Sequence, residues 1–215
     1  MTTVTRTQAD QTETPSVDVA SFRQRLLDGL TASIEQNGYR NTTVADIVRL
    51  ARTSRRTFYE HFSSKETCFV ALLTDANAEM IRQIAASVDQ SAPWATQVRQ
   101  AVEAWIGCAE SQQCLTLSWI RDVPSLGAAA RELQREGMAA FVTMILALCD
   151  TDEWRSSGAG QPSRQLLVML LGGLRELIAT TVEDGGQVGD ITEIAVQASI
   201  AILGARTSSP LPGSP

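Results

Sequence analysis

His61 is the only histidine among 215 residues, so the rest of the chain has no Ser-His or Cys-His pair for nucleophilic catalysis. The four cysteines (Cys68, Cys108, Cys114, Cys149) lie far apart, with no Cys-x-x-Cys pair. Neither a zinc site nor disulfides are indicated, and thiols used as small apolar core residues fit a reducing, cytoplasmic location. Carboxylates are scattered, and no glycine-rich phosphate loop occurs. No enzymatic activity, cofactor or metal is therefore expected. No apolar run reaches the ~18 residues of a membrane span. The longest, Leu166–Leu171, is short, and no membrane association is expected. The N-terminus is polar and Thr-rich without an apolar segment, so no secretion signal is visible.

Charge of one sign is also unevenly supplied. The formal net charge is -6, which read alone argues against nucleic acid. Yet residues 21–65 hold eight Lys/Arg against four Asp/Glu, whereas residues 66–215 hold nine against seventeen. A basic head on an acidic body suits a DNA-binding module joined to a separate regulatory domain.

Within the basic segment, Val44, Ile47, Val48 and Ala51 recur at helical spacing, and Thr43 can cap the helix they define. Ser54 opens a second short helix. It carries Arg55, Arg56, Thr57 and Tyr59 outward and Phe58 and Phe62 inward. Two arginines, a hydroxyl and a phenol on one exposed face are donors suited to base edges and phosphates. The pair reads as a helix-turn-helix whose second helix is the reader. Arg55 and Arg56 are the candidates for base contact. Lys65 stands at the start of the next helix, where free N–H groups and the helix dipole attract phosphate. Thr43 has the same opportunity at its own helix start.

The remaining pattern is helical throughout. Residues 1–17 are expected to be a disordered arm. Phe22, Leu26, Leu27, Leu30 and Ile34 form the stripe of a first helix that Gly38 ends. A long helix from Lys65 to about Ser87 links head to body. Further helices are expected after Pro93, over Cys114–Ile120, from Pro124 through Leu148, over about 164–183 and over about 191–203. Residues 151–162 read as a loop and 207–215 as a disordered tail. The expectation is an all-α fold of about nine helices, with a three-helix head over 18–66 and a helical body over 67–206.

The residues Gly38, Thr43-Val44, Asp46-Ile47, Ala51, Ser54, Thr57-Phe58-Tyr59, Phe62 and Ser64-Lys65-Glu66 resemble the head of the TetR family of bacterial transcriptional regulators. The likeness is specific over residues 22–73. Beyond residue 85 it rests on helix count and order, with Gly172-Gly173-Leu174-Arg175-Glu176-Leu177 similar to a stretch of the family's penultimate helix. Two positions depart from the pattern. Arg52-Thr53 stands where the family places Gly-Val, so Arg52 either adopts a left-handed conformation at a cost of about 1 kcal/mol or the turn differs. Arg56 stands where a small residue is common.

The resemblance implies a homodimeric regulator, with a repressor released from a palindromic operator by a small lipophilic molecule as the leading form. It makes Tyr59 and His61 phosphate donors, beside Thr43, Ser54, Arg55, Arg56, Thr57 and Lys65 at the DNA. It implies a ligand pocket in the body, for which Trp105, Cys108, Trp119, Met138, Phe141 and Met144 are the candidates. It implies a dimer interface on the last two helices, with Leu170, Gly173, Leu174, Ile194 and Ala198. The alternatives are a DNA-binding regulator without a small-molecule ligand, and an all-helical enzyme or binding module.

Overall fold

In the computed structural model, which describes residues 16–204 except Ala159, α1 (Ser16–Asn41) buries Leu26, Leu27, Leu30 and Ile34 completely. Gly38, at φ +74° and ψ 158°, breaks the helical path, and one further turn carries the chain to Asn41. Then come α2 (Val44–Leu50), α3 (Arg55–His61) and the long α4 (Lys65–Ser87). The body adds α5 (Trp94–Ser111), α6 (Gln113–Arg121), α7 (Ala128–Leu148), α8 (Asp152–Ser156), α9 (Arg164–Glu183) and α10 (Thr192–Gly204). Two 3-10 turns, Val123–Ser125 and Val188–Ile191, complete the described residues, which contain no strand.

Two apolar cores divide this bundle. The first joins the head to the body: Leu30, Ile47, Phe58 and Phe69 pack in one cluster with Leu115 of α6 and Leu133 of α7. The second collects α5, the far half of α7, Trp154 of α8, α9 and α10. Head and body therefore share apolar burial, and α4 runs along their junction. Close approach within the head depends on Gly29. A Cβ there would sit 2.7 Å from the Ile47 carbonyl and 2.9 Å from the Ala51 nitrogen, so only glycine lets α2 lie this close to α1.

The all-α class is as expected, with differences in detail. The described residues form ten helices rather than about nine, because the segment 151–162 contains α8. Thr151 caps it by accepting from the Trp154 N–H, and Trp154 is buried edge-on against Trp94 at 5.3 Å. Acidic residues in its first turn and one large apolar anchor outweigh the flanking glycines and serines. Pro124 lies in a 3-10 turn, and α7 begins only after Gly127. Residues 16 and 17, assigned to the arm, belong to α1. The rest of the arm, residues 205–206 and the tail lie outside the described residues.

By length and composition α9 is apolar enough to cross a membrane, with mean hydropathy 1.4, although no unbroken apolar run in it reaches that length. Arg175 and Glu176 interrupt the run without lowering the average much. Only 33% of that apolar window is buried within the chain.

Candidate nucleic-acid interface and body cavity

The reading head is built on paired caps. The Thr43 hydroxyl accepts from the Asp46 N–H, while the Asp46 carboxylate accepts from the Thr43 N–H at 3.1 Å and its hydroxyl at 2.6 Å. These bonds hold the Asp46 carboxyl below its ordinary range. At the other end of α2, Thr53 N–H bonds to Val48 O at 2.9 Å and Arg52 N–H to Arg49 O at 3.3 Å. This is a Schellman closure with Arg52 in the left-handed position at φ 51°. Of the two turn geometries open to the sequence, the strained one is adopted. Arg25 of α1 supports it, donating from Nη2 to the carbonyls of Ala51 at 2.7 Å and Arg52 at 2.6 Å. Sequence reading missed Arg25; its signal was a cation inside the otherwise apolar stripe of α1.

Ser54 caps α3 by accepting from Thr57 N–H at 3.0 Å, and the two hydroxyls bond at 2.9 Å. Ser54 and Thr57 thus shape the helix start. Phe58 is fully buried beneath it, which turns Arg55, Arg56 and Tyr59 outward. Tyr59 is 59% exposed. Arg56 donates from Nε to Glu60 at 3.0 Å and keeps its remaining donors in solvent. Arg55 is exposed and, among the described residues, has no ion-pair partner. His61, at the C-terminal end of α3, is half-buried against Phe62.

Lys65 departs from expectation. Its ammonium turns inward, donating to Tyr39 O at 3.1 Å and Thr42 O at 2.9 Å, and lies 4.4 Å from the Tyr39 ring centroid. Tyr39 O, which also accepts from Thr42 N–H at 3.2 Å, and Thr42 O lie at the C-terminal end of α1, and the chain's single lysine bonds both. Lys65 is therefore a clip between α1 and α4, and the outward cations of the head are arginines.

Trp105, Cys108, Trp119, Met138 and Phe141, expected around a ligand, line one cavity of about 190 Å³. Met144 does not. It faces a smaller adjoining cavity of about 80 Å³, which shares Trp105, Phe141 and Leu171 with the first. The larger cavity is walled by α4, α5, α6, α7 and α9, and touches both apolar cores. Sequence reading missed Leu73 and Met80 of α4 and Arg175 of α9 on its wall. Cys108 bonds Gln83 through its thiol, and burial pushes the thiol pKa up.

Ion pairs tie the cavity's walls to the head. Arg121 of α6 holds Glu176 at 2.9 Å and Glu183 at 2.7 Å, both on α9. These contacts keep both carboxyls below their ordinary range. Its neighbour Asp122 grips Arg40 at the end of α1 at 2.8 Å. Arg23 of α1 pairs with Asp75 of α4 at 2.9 Å.

The outer face of α9 and α10 is apolar and uncovered among the described residues. Met169 is 60% exposed and Ile194 61%, with Val168 beside them. Gly172 and Gly173 are exposed, and among the described residues nothing lies within 4 Å of where their Cβ atoms would be. Leu170 and Leu174 instead face the second core, so they are not available to a partner, while Ala198 is half-buried.

A helix-turn-helix places its second helix in the major groove of DNA, and here a basic one is carried on an all-helical body. Residues 26–72 match the profile of "Bacterial regulatory proteins, tetR family". The chain is 27% identical over 108 residues to the HTH-type transcriptional regulator YhgD of Bacillus subtilis, covering 50% of this chain and 56% of that one. It is 30% identical over 94 residues to the HTH-type transcriptional repressor DhaR of Mycobacterium sp. strain GP1, covering 43% and 48%. The matches thus span about half the length of these relatives. In fold, it resembles the transcriptional regulator FadR of Bacillus subtilis, solved with stearoyl-CoA, at TM-score 0.71 and 15% identity, over 85% of this chain and 99% of that one. The head thus matches the TetR-family profile over residues 26–72, and the likeness to FadR is one of fold.

Proposed function

We propose that the chain is a homodimeric, ligand-responsive regulator, and that it represses transcription from a palindromic operator until a small lipophilic effector binds its body. The observation that carries this reading is the position of the larger cavity. It lies against α4, which begins at the reading head and runs between the two cores. A molecule held there bears on the seam between the core that contains the head and the core that carries the outer face of α9 and α10.

In this reading residues 18–66 bind DNA. Arg55 and Arg56 read base edges, Tyr59 and His61 donate to phosphate, and Thr43, Ser54 and Thr57 set the helix starts. A second copy packs on Val168, Met169, Gly172, Gly173 and Ile194, where glycines permit close helix approach. Two heads on one two-fold body require a site of matching symmetry. The work is that of a DNA-binding protein in the cytoplasm and assigns no catalytic step to the chain. An effector lowers operator affinity only if it binds the DNA-incompatible arrangement better, and ~1–3 kcal/mol of coupling gives roughly 5- to 150-fold release.

Footprinting on the DNA upstream of the chain's own gene tests this. The expected result is a two-fold symmetric protected site, lost when a lipophilic compound that raises the protein's Tm is added. Compounds that bind the body tightly yet leave the footprint unchanged would refute the ligand-responsive part. Absence of any protected site would refute the DNA part.

A further inference from the structure

Arg175 is out of place for an ordinary core helix. It lies one turn from Leu171 and nearly one turn from Ile178, on the stripe of α9 that faces inward, and it lines the larger cavity with them. Its Nε is buried and has no hydrogen-bond partner, and no carboxylate among the described residues pairs with it. Burial depresses its pKa, an effect that adjacent Glu176 opposes, yet a guanidinium stays charged in a protein. Glu176 itself turns to Arg121, and Glu79, at the cavity's opposite wall, is held by Arg82 and Gln83. A half-buried cation with one buried, orphaned donor is costly unless something anionic meets it. The remaining wall mixes apolar side chains, Trp105, Trp119, Met138 and Phe141 among them, with uncharged polar ones such as Asn77, Gln83 and Gln134.

We infer that the cavity recognises an amphipathic organic carboxylate, whose head pairs with Arg175 and whose apolar tail lies along Trp105, Phe141 and Leu171. This rests on the proposed ligand-responsive reading and names its effector class. The tail's direction follows from the shared wall: those three residues also bound the smaller cavity, which is lined almost wholly by apolar side chains. The head's position supplies a route to DNA. Beside Arg175, Glu176 holds Arg121, and beside Arg121, Asp122 holds Arg40 of α1. A carboxylate that pulls the Arg175 guanidinium shifts the turn of α9 on which this chain of ion pairs depends.

The test titrates the full-length protein with octanoate, dodecanoate and hexadecanoate and with the alcohols of the same chain lengths. Calorimetry and tryptophan fluorescence report binding, and operator release is followed in parallel. At least one acid is expected to bind about ten- to a hundredfold more tightly than its alcohol, the scale of a charge-assisted hydrogen bond. In Arg175→Met that preference should vanish while the alcohol's affinity stays. Arg175→Lys, which keeps a charge, should retain part of it. The comparison on the unmodified protein needs no variant to fold. Equal binding of acid and alcohol would overturn the role of Arg175 and leave a lipophilic effector standing. Failure of every probe to bind, with sequence-specific DNA binding intact, would overturn both.

Discussion

Arg25 Nη2 donates to the Arg52 carbonyl at 2.6 Å, so a helix in front of the reading motif props up the one left-handed non-glycine residue among those described. Removing the prop should loosen the turn. Arg25→Met is expected to destabilise the head by about 1.5–3 kcal/mol, the range for hydrogen bonds from a charged group. Arg52→Gly should recover about 1 kcal/mol by removing the left-handed penalty. Thermal unfolding of both variants checks this; a Tm unchanged in Arg25→Met would contradict it.

Lys65 and Arg55 are expected to fail in different ways. Lys65→Met removes two bonds to the carbonyls at the end of α1, so it should lower stability by about 1.5–3 kcal/mol and leave the salt dependence of DNA binding unchanged. Arg55→Ala should leave stability within about 0.5 kcal/mol, as at an open surface position. If Arg55 also meets a phosphate, its loss lowers the salt slope by about one. A lower salt slope in Lys65→Met would return that residue to the DNA surface.

Much of the architecture was legible from periodicity. The stripes of α1, α2 and α9 repeat at 3.6 residues, and Thr43, Ser54, Ser64 and Ser163 cap the helices that follow them. Side-chain direction was less legible. Lys65 follows a serine cap, the position where a phosphate contact is expected, but one helix end away lie the two carbonyls it bonds. Arg175 was legible in principle, since it falls on the same stripe as Leu171 and Ile178; a charged letter in a buried register reads as noise until the cavity is seen. Leu170 and Leu174 show the converse. Both are apolar residues of α9, but a helix with two apolar faces does not reveal from sequence which face meets the chain itself.

Thiol reactivity should follow burial. Cys114 is exposed and Cys108 half-buried on the cavity wall, whereas burial pushes the Cys68 and Cys149 thiols up to about 12. A disulfide reagent near neutral pH is expected to modify Cys114 first, Cys108 more slowly, and the other two only on unfolding. Rapid modification of four thiols in the folded protein would be inconsistent with this packing.

Acid should weaken the body through its ion pairs. Arg99 holds the Glu193 carboxyl down to about 2, and Arg121 holds Glu176 and Glu183 below their ordinary range. A depressed carboxyl contributes stability that is present above its unfolded pKa and is lost as pH falls through the folded one. Stability should therefore decline from about pH 4.5 toward pH 2. In Arg99→Gln the decline should be shallower. Identical pH profiles for this variant and the parent would contradict the assignment.

The outer face of α9 and α10 is tested by Gly173→Leu and Ile194→Arg. Both positions are exposed, and no described residue comes within 4 Å of where a Gly173 Cβ would be. Helix content and Tm at low concentration should change little, while sedimentation shifts toward monomer. A dimer that survives both substitutions at micromolar concentration would place the interface elsewhere.

Most direct of all is the affinity of the protein for its own upstream duplex against a shuffled duplex of equal length, at one fixed salt concentration. The expected preference is at least about 10³-fold, as for specific regulators. It should fall by a factor corresponding to roughly 1–3 kcal/mol in at least one of Arg55→Ala and Arg56→Ala. Equal affinity for the two duplexes, or equal losses on both in each arginine variant, would contradict sequence reading by α3.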